Sequence, residues 1–127
     1  MPLTLIQDGQ SEEVTLTVAL QHAASSSLTV TLKTAHGELV AQDGDIYFDT
    51  VLERLVAQLP VGATLRFCFS CRWGAVEPTY GLNGNFGCFR TQQAALLAAP
   101  SRRARMHLWP PPEWRQEVDV CDAFTQR

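Results

Sequence analysis

Apolar and polar residues alternate through the first third of the chain. In "EVTLTVAL" (residues 13–20), Val14, Leu16, Val18 and Leu20 face one way, and Thr15, Thr17 and Ala19 the other. "LTVTLKT" (28–34) repeats the pattern with Leu28, Val30 and Leu32. A period of two rich in Val and Thr predicts half-buried strands. The small-residue run "QHAASSS" between them predicts an antiparallel hairpin. Turns around Gly37 and Gly44 leave room for a short strand through Leu39 and Val40.

The period then lengthens. In "DIYFDTVLERLVAQLP", Phe48, Val51, Leu52, Leu55, Val56 and Leu59 fall on one face of a helix, while Glu53, Arg54 and Gln58 take the other. Asp45 or Asp49 is the expected N-cap, and Pro60 with Gly62 ends the helix. "TLRFCFSC" (64–71) returns to alternation, with Leu65, Phe67 and Phe69 inward. "RWGAVEPTYGLNGNFG" reads as loop, "GCFRT" as a short strand and "QQAALLAA" as a modest helix. "PSRRARMHLWPPPEW" reads as irregular and "RQEVDVCDAF" as a closing strand. This order predicts one α+β domain over residues 1–127, with a mainly antiparallel sheet packed against one dominant helix and a long cysteine-containing loop region.

Composition agrees with a globular chain: 127 residues, 46% hydrophobic and 18% charged. The net charge of −3 hides a split. Residues 1–62 carry eight acids and two bases, and residues 63–127 five acids and eight bases. With Lys33 the only lysine, the dense basic face of a general nucleic-acid binder is missing. The acidic first half suits a basic protein partner instead. No apolar run approaches the roughly 20 residues that span a bilayer. "MPLTLIQDGQSEEV" has neither the basic nor the long apolar stretch of an export signal, so the expected compartment is the cytosol, where thiols stay reduced.

That expectation bears on the four cysteines, Cys68, Cys71, Cys88 and Cys121. Disulfides are disfavoured in a reducing compartment. Redox catalysis by C-x-x-C needs a helix after the motif to lower the nucleophile's pKa, and "RWGAVEP" after Cys71 has no helical period. His22, His36 and His107 each fall in turn or loop readings, away from any cysteine motif. Zinc takes four tetrahedral thiolates, and C-x-x-C commonly supplies two of them. Residues 68 and 71 would point to opposite faces of a regular strand. A shared metal therefore requires the strand to end near Cys68 and curl into a knuckle. Arg72 stands where such a knuckle usually has glycine. Four separately buried cysteines fit the spacing equally well.

The motifs carry a resemblance. "LERLVAQLP", Cys68 and Cys71, Pro78, Gly81, "FGCFR" and "QEVDVCDAF" follow one another in an order similar to that of a family of small, uncharacterised bacterial proteins. The match runs over residues 52–127, and "RWGAVEPTY" replaces that family's usual serine–aspartate segment. The resemblance puts all four cysteines on motif positions and so favours a structural Cys₄ zinc site. It also suggests the genre of small bacterial immunity proteins that neutralise a cognate toxin or effector by binding it.

Partner contacts have several candidates. Trp73, Tyr80, Trp109 and Trp114 sit in Arg-, Gly- and Pro-rich segments, and such aromatics are frequent binding anchors. Each also fits as a cap on a small core. "PPP" (110–112) reads as a stiff spacer holding Trp109 and Trp114 apart. "RRAR" (102–105) reads as a solvated basic face. Asp43, Asp45 and Asp49 gather near one turn without a calcium-loop pattern, and they suit helix capping or a basic toxin surface. The expected function is thus a non-catalytic cytosolic binding protein. The alternatives are a small enzyme with Cys68 or Cys71 as nucleophile, or a zinc-knuckle nucleic-acid adaptor.

Overall fold

The computed structural model describes residues 1–22, 26–44, 47–78 and 86–127. Its fold is α+β, and its residues group into two compact units, Met1–Arg66 and Phe67–Arg127.

The first unit is an antiparallel sheet of five strands: β1 (Pro2–Gln7), β2 (Gln10–His22), β3 (Ser26–Thr34), β4 (Gly37–Asp43) and β5 (Thr64–Leu65). They lie in the order β4-β3-β2-β1-β5. The alternating runs become β2 and β3 as expected, with Leu16 opposite Leu32 and Val18 opposite Val30. The strand through Leu39 and Val40 is β4. β1 is an addition to the strands expected from the sequence. Its Leu3 and Leu5 are buried, and Asp8 and Gly9 join it to β2 with φ of 52° and 76°. Two residues with positive φ form the turn whose twist suits a tight hairpin, and Asp-Gly favours that turn.

The helix α1 (Phe48–Val56) packs on β3 and β4 and buries Val51, Leu52 and Leu55 completely. Burying each such side chain contributes about 1.5–3 kcal/mol. The cap differs from expectation. Tyr47 occupies the N-cap with no side-chain hydrogen bond, and Asp49 lies inside the first turn. There its carboxylate favours the positive end of the helix dipole rather than bonding the free amides. Asp45 lies outside the described residues.

The second unit is irregular. A 3-10 turn over Cys68–Ser70 leads into a three-stranded antiparallel sheet of β6 (Gly74–Val76), β7 (Phe86–Cys88) and β8 (Glu113–Arg115), ordered β6-β7-β8. The short helix α2 (Gln93–Ala98) falls where expected, and a further 3-10 turn covers Ala104–Leu108. Ala75, Phe89 and Leu96 form a small core, against which Trp73, Leu108 and Trp109 pack.

Three expectations need correction here. The strand over 64–71 stops at Leu65, because the amides of Ser70 and Cys71 bond the carbonyls of Phe67 and Cys68 at 3.1 Å. Those turn bonds replace a ladder, and Phe67 and Phe69 are both buried with their rings 6.0 Å apart. The long loop region holds part of a sheet, and β8 arises inside a segment read as irregular. "RQEVDVCDAF" is not a closing strand beyond Arg115, since its backbone bonds the 3-10 turn, which offers no ladder to extend.

Candidate functional site

The C-x-x-C segment is a knuckle. Its strand ends before Cys68, the turn carries Cys68 to Ser70, and the amide of Gly74 bonds the carbonyl of Cys71 at 3.1 Å. Glycine is required at position 74 rather than next to Cys71. A β-carbon there would lie 2.3 Å from the Cys68 carbonyl oxygen and 2.6 Å from the Phe86 ring. The exposed Arg72 instead lays its guanidinium over the Trp73 ring, 5.4 Å from its centroid.

The C-terminal segment is laced onto this knuckle by backbone bonds. The amides of Cys68 and Phe69 donate to the carbonyls of Asp119 and Glu117 at 2.8 and 2.9 Å. The Arg72 amide donates to Thr125 O at 2.7 Å, and Cys71 bridges Gln126. Two side chains tighten the strap. Trp73 Nε1 donates to Thr125 Oγ1 at 3.2 Å, and the Arg127 guanidinium donates to the carbonyls of Cys71 and Gly74 at 3.0 and 2.9 Å.

This lacing carries Cys121 to the other three cysteines. Cys88 arrives on β7 directly opposite Gly74. All four sulfur-bearing residues line one small pocket, with Phe67, Trp73, Phe124 and Arg90 also in its wall. The pocket volume is about 10 Å³, on the order of one water-sized sphere. All four cysteines are free thiols; Cys68, Cys71 and Cys88 are buried, and Cys121 is half-buried.

The pocket's electrostatics oppose a lone thiolate. Burial, together with Cys121 and Asp119 nearby, pushes the Cys68 thiol up from 9.0 to about 12. No histidine lines the pocket among the described residues, so no imidazole stands ready as a base. In type and number the thiols fit a closed zinc set. In spacing they do not close on one. Among the described residues, no three His, Cys, Asp or Glu side chains are grouped tightly enough to hold a metal ion.

The other candidates scatter. Trp109 and Trp114 are brought together across the prolines rather than held apart, with ring centroids 6.2 Å apart in an edge-on contact. The Trp109 ring also lies 5.4 Å from Phe89, which ties it to the small core, while Trp114 is 53% exposed. Pro111 explains the approach, since it seats over Gly87, where a β-carbon would come within 2.5 Å of it. Asp43 is buried at the end of β4 and pairs with Arg54 at 3.0 Å, so it braces α1. Tyr80 and Gly81 lie outside the described residues. The residues missed from sequence are Gly74, Thr125 and Arg127. A glycine three positions past the second cysteine was the available signal for the first, and nothing local marks the other two.

No helix among the described residues is long and apolar enough to cross a membrane. No family model matches the chain, and no curated protein or solved structure does either.

Proposed function

We propose that this chain is a non-catalytic binding protein of the cytosol, an immunity partner that neutralises a cognate toxin or effector by direct contact. The observation that supports it best is the thiol pocket. Four cysteines from three separate stretches line one pocket at a laced knuckle, with a raised Cys68 thiol and, among the described residues, no histidine in the wall. A nucleophilic cysteine needs the opposite setting, electropositive and partly open, which lowers its pKa. The pocket therefore serves cohesion better than turnover, and binding is left to exposed features such as Trp114. The motif resemblance points the same way.

Within this proposal Cys68, Cys71, Cys88 and Cys121, which line one pocket without closing on a metal in spacing, would draw together to hold a structural zinc ion. The ion would supply cross-linking of the knuckle, β7 and the C-terminal strap in a unit with a small apolar core. Co-expression with the product of each adjacent gene tests the function. Rescue from that product's toxicity, with co-purification of the two proteins, is the expected result. Failure to bind or to rescue against every neighbouring product overturns it. Rapid alkylation of one cysteine at neutral pH, with loss of a measured turnover, would favour the enzyme reading instead.

A further inference from the structure

The walls of the thiol pocket are held by different means. Cys68, Cys71 and Cys88 belong to one tight frame, and their backbones meet at Gly74. The Gly74 amide bonds the Cys71 carbonyl, Gly74 lies opposite Cys88 on β7, and it has no room for a β-carbon against the Cys68 carbonyl. All three cysteines are buried. In such a frame the backbone is fixed, and a sulfur moves only by turning about χ1 between staggered positions.

The other wall is carried by the strap. Cys121, Ala123 and Phe124 line the pocket from residues 120–124. This span runs between two fastenings to the knuckle. Before it, Asp119 O accepts from the Cys68 amide at 2.8 Å, and the Asp119 carboxylate accepts from the Gln116 amide at 2.9 Å. After it, Thr125 O accepts from the Arg72 amide at 2.7 Å, and Gln126 bridges Cys71. Inside the span the Phe124 amide donates to the Cys121 carbonyl at 3.2 Å, a bond that closes the span on itself and not onto the knuckle. Val120, Asp122 and Ala123 are exposed, and Cys121 is half-buried.

Spacing gives the span a direction in which to move. Four sulfurs at about 2.3 Å from one zinc ion stand about 3.8 Å from one another. The thiols lie wider than that, since among the described residues no three metal-ligating side chains are grouped tightly enough for an ion. Cys121 is the one thiol of the four whose backbone is not locked at Gly74.

We propose that residues 120–124 are a part of the strap poised to close: moving inward, they bring Cys121 to the three framed thiols and couple zinc uptake to the fastening of the C-terminal segment. This rests on the structural zinc reading above and adds to it which element moves. Such coupling is reciprocal. Whatever loosens the strap weakens zinc binding, and bound zinc tightens the strap by the same factor. Arg127 is the lever, because its guanidinium bonds the carbonyls of both Cys71 and Gly74 in the frame while standing outside the pocket wall.

The test uses the full chain, stripped of metal and then titrated with zinc ion. In the stripped chain Cys121 should alkylate ahead of Cys68, Cys71 and Cys88. Zinc should slow exchange at the Cys68 and Arg72 amides, whose bonds flank the span, more than at the ladder of β6, β7 and β8. These two measurements need no variant. Arg127→Ala should bind zinc about tenfold more weakly in competition with a chelator, at unchanged far-UV circular dichroism. Three results would each overturn the closing strap and leave the zinc reading standing: bound zinc with equal protection at flanking and ladder amides, an Arg127→Ala chain that binds zinc as tightly as the unaltered one, or a stripped chain in which Cys121 is not the fastest thiol. A chain that takes up no zinc would overturn both.

Discussion

The two units of this chain reach order by different means. Met1–Arg66 is a repeating solution: strands with a two-residue period, a helix that buries Val51, Leu52 and Leu55, and a ladder in which each pairing repeats its neighbour. Phe67–Arg127 is a collection of single contacts. Its knuckle, its strap and its three-residue strands each rest on a few named bonds, with buried phenylalanines (Phe67, Phe69, Phe86 and Phe89) and four thiols between them. A repeating design spreads its stability, so it tolerates surface change and fails at its core. A contact-by-contact design should fail wherever one contact is removed.

Leu52→Ala probes the first mode and carries the largest expected effect. A cavity at a fully buried leucine costs about 2–5 kcal/mol, and hydrogen exchange should show the loss in the strands β3 and β4. Gly74→Ala should cost about 1–3 kcal/mol, because its β-carbon meets a backbone carbonyl that cannot give way. Its exchange signature belongs at Cys68, Phe69 and Arg72, whose amides hold the strap. If those amides stay protected, the knuckle is not the organiser described here.

Arg54→Ala should cost about 1–2 kcal/mol, since it removes the ion pair with the buried Asp43 carboxylate and frees the Gln42 carbonyl. Denaturant melts at neutral pH check that value. A further effect is one of pH on the metal-free protein. The folded state holds the Cys68 proton more tightly than the unfolded chain, with pKa about 12 against 9.0. The resulting stability is complete below pH 9.0 and is lost as pH rises toward about 12. Cys68→Ala should remove that alkaline slope.

The same contrast explains what was legible in the sequence. Periodicity announces repeating structure, so β2, β3 and α1 could be read from Val, Leu and Thr spacing alone, and β4 from the turns around Gly37 and Gly44. β1 is legible only through Asp8–Gly9, a strong hairpin signal, because its own alternation is short. The second unit has little period to read. The odd spacing of Cys68 and Cys71 implied a knuckle if the pair was to share a site, and the chain does turn there. That Trp109 meets Trp114, and that Thr125 and Arg127 fasten the knuckle, depends on contacts far apart in the chain. No local pattern encodes them. The helix cap departs from expectation too: Asp45 and Asp49 both fit the statistical preference, yet α1 begins at Phe48 with Tyr47 at its N-cap.

Under the proposal above, the four cysteines act together as the clasp of the second unit. Elemental analysis of the purified protein, run beside the four single Cys→Ser variants, tests it most directly. One zinc ion per chain is expected, lost in every one of the variants, with thiols that alkylate quickly only after chelation. A metal-free protein whose four thiols alkylate at unrelated rates, unaffected by chelator, would contradict it.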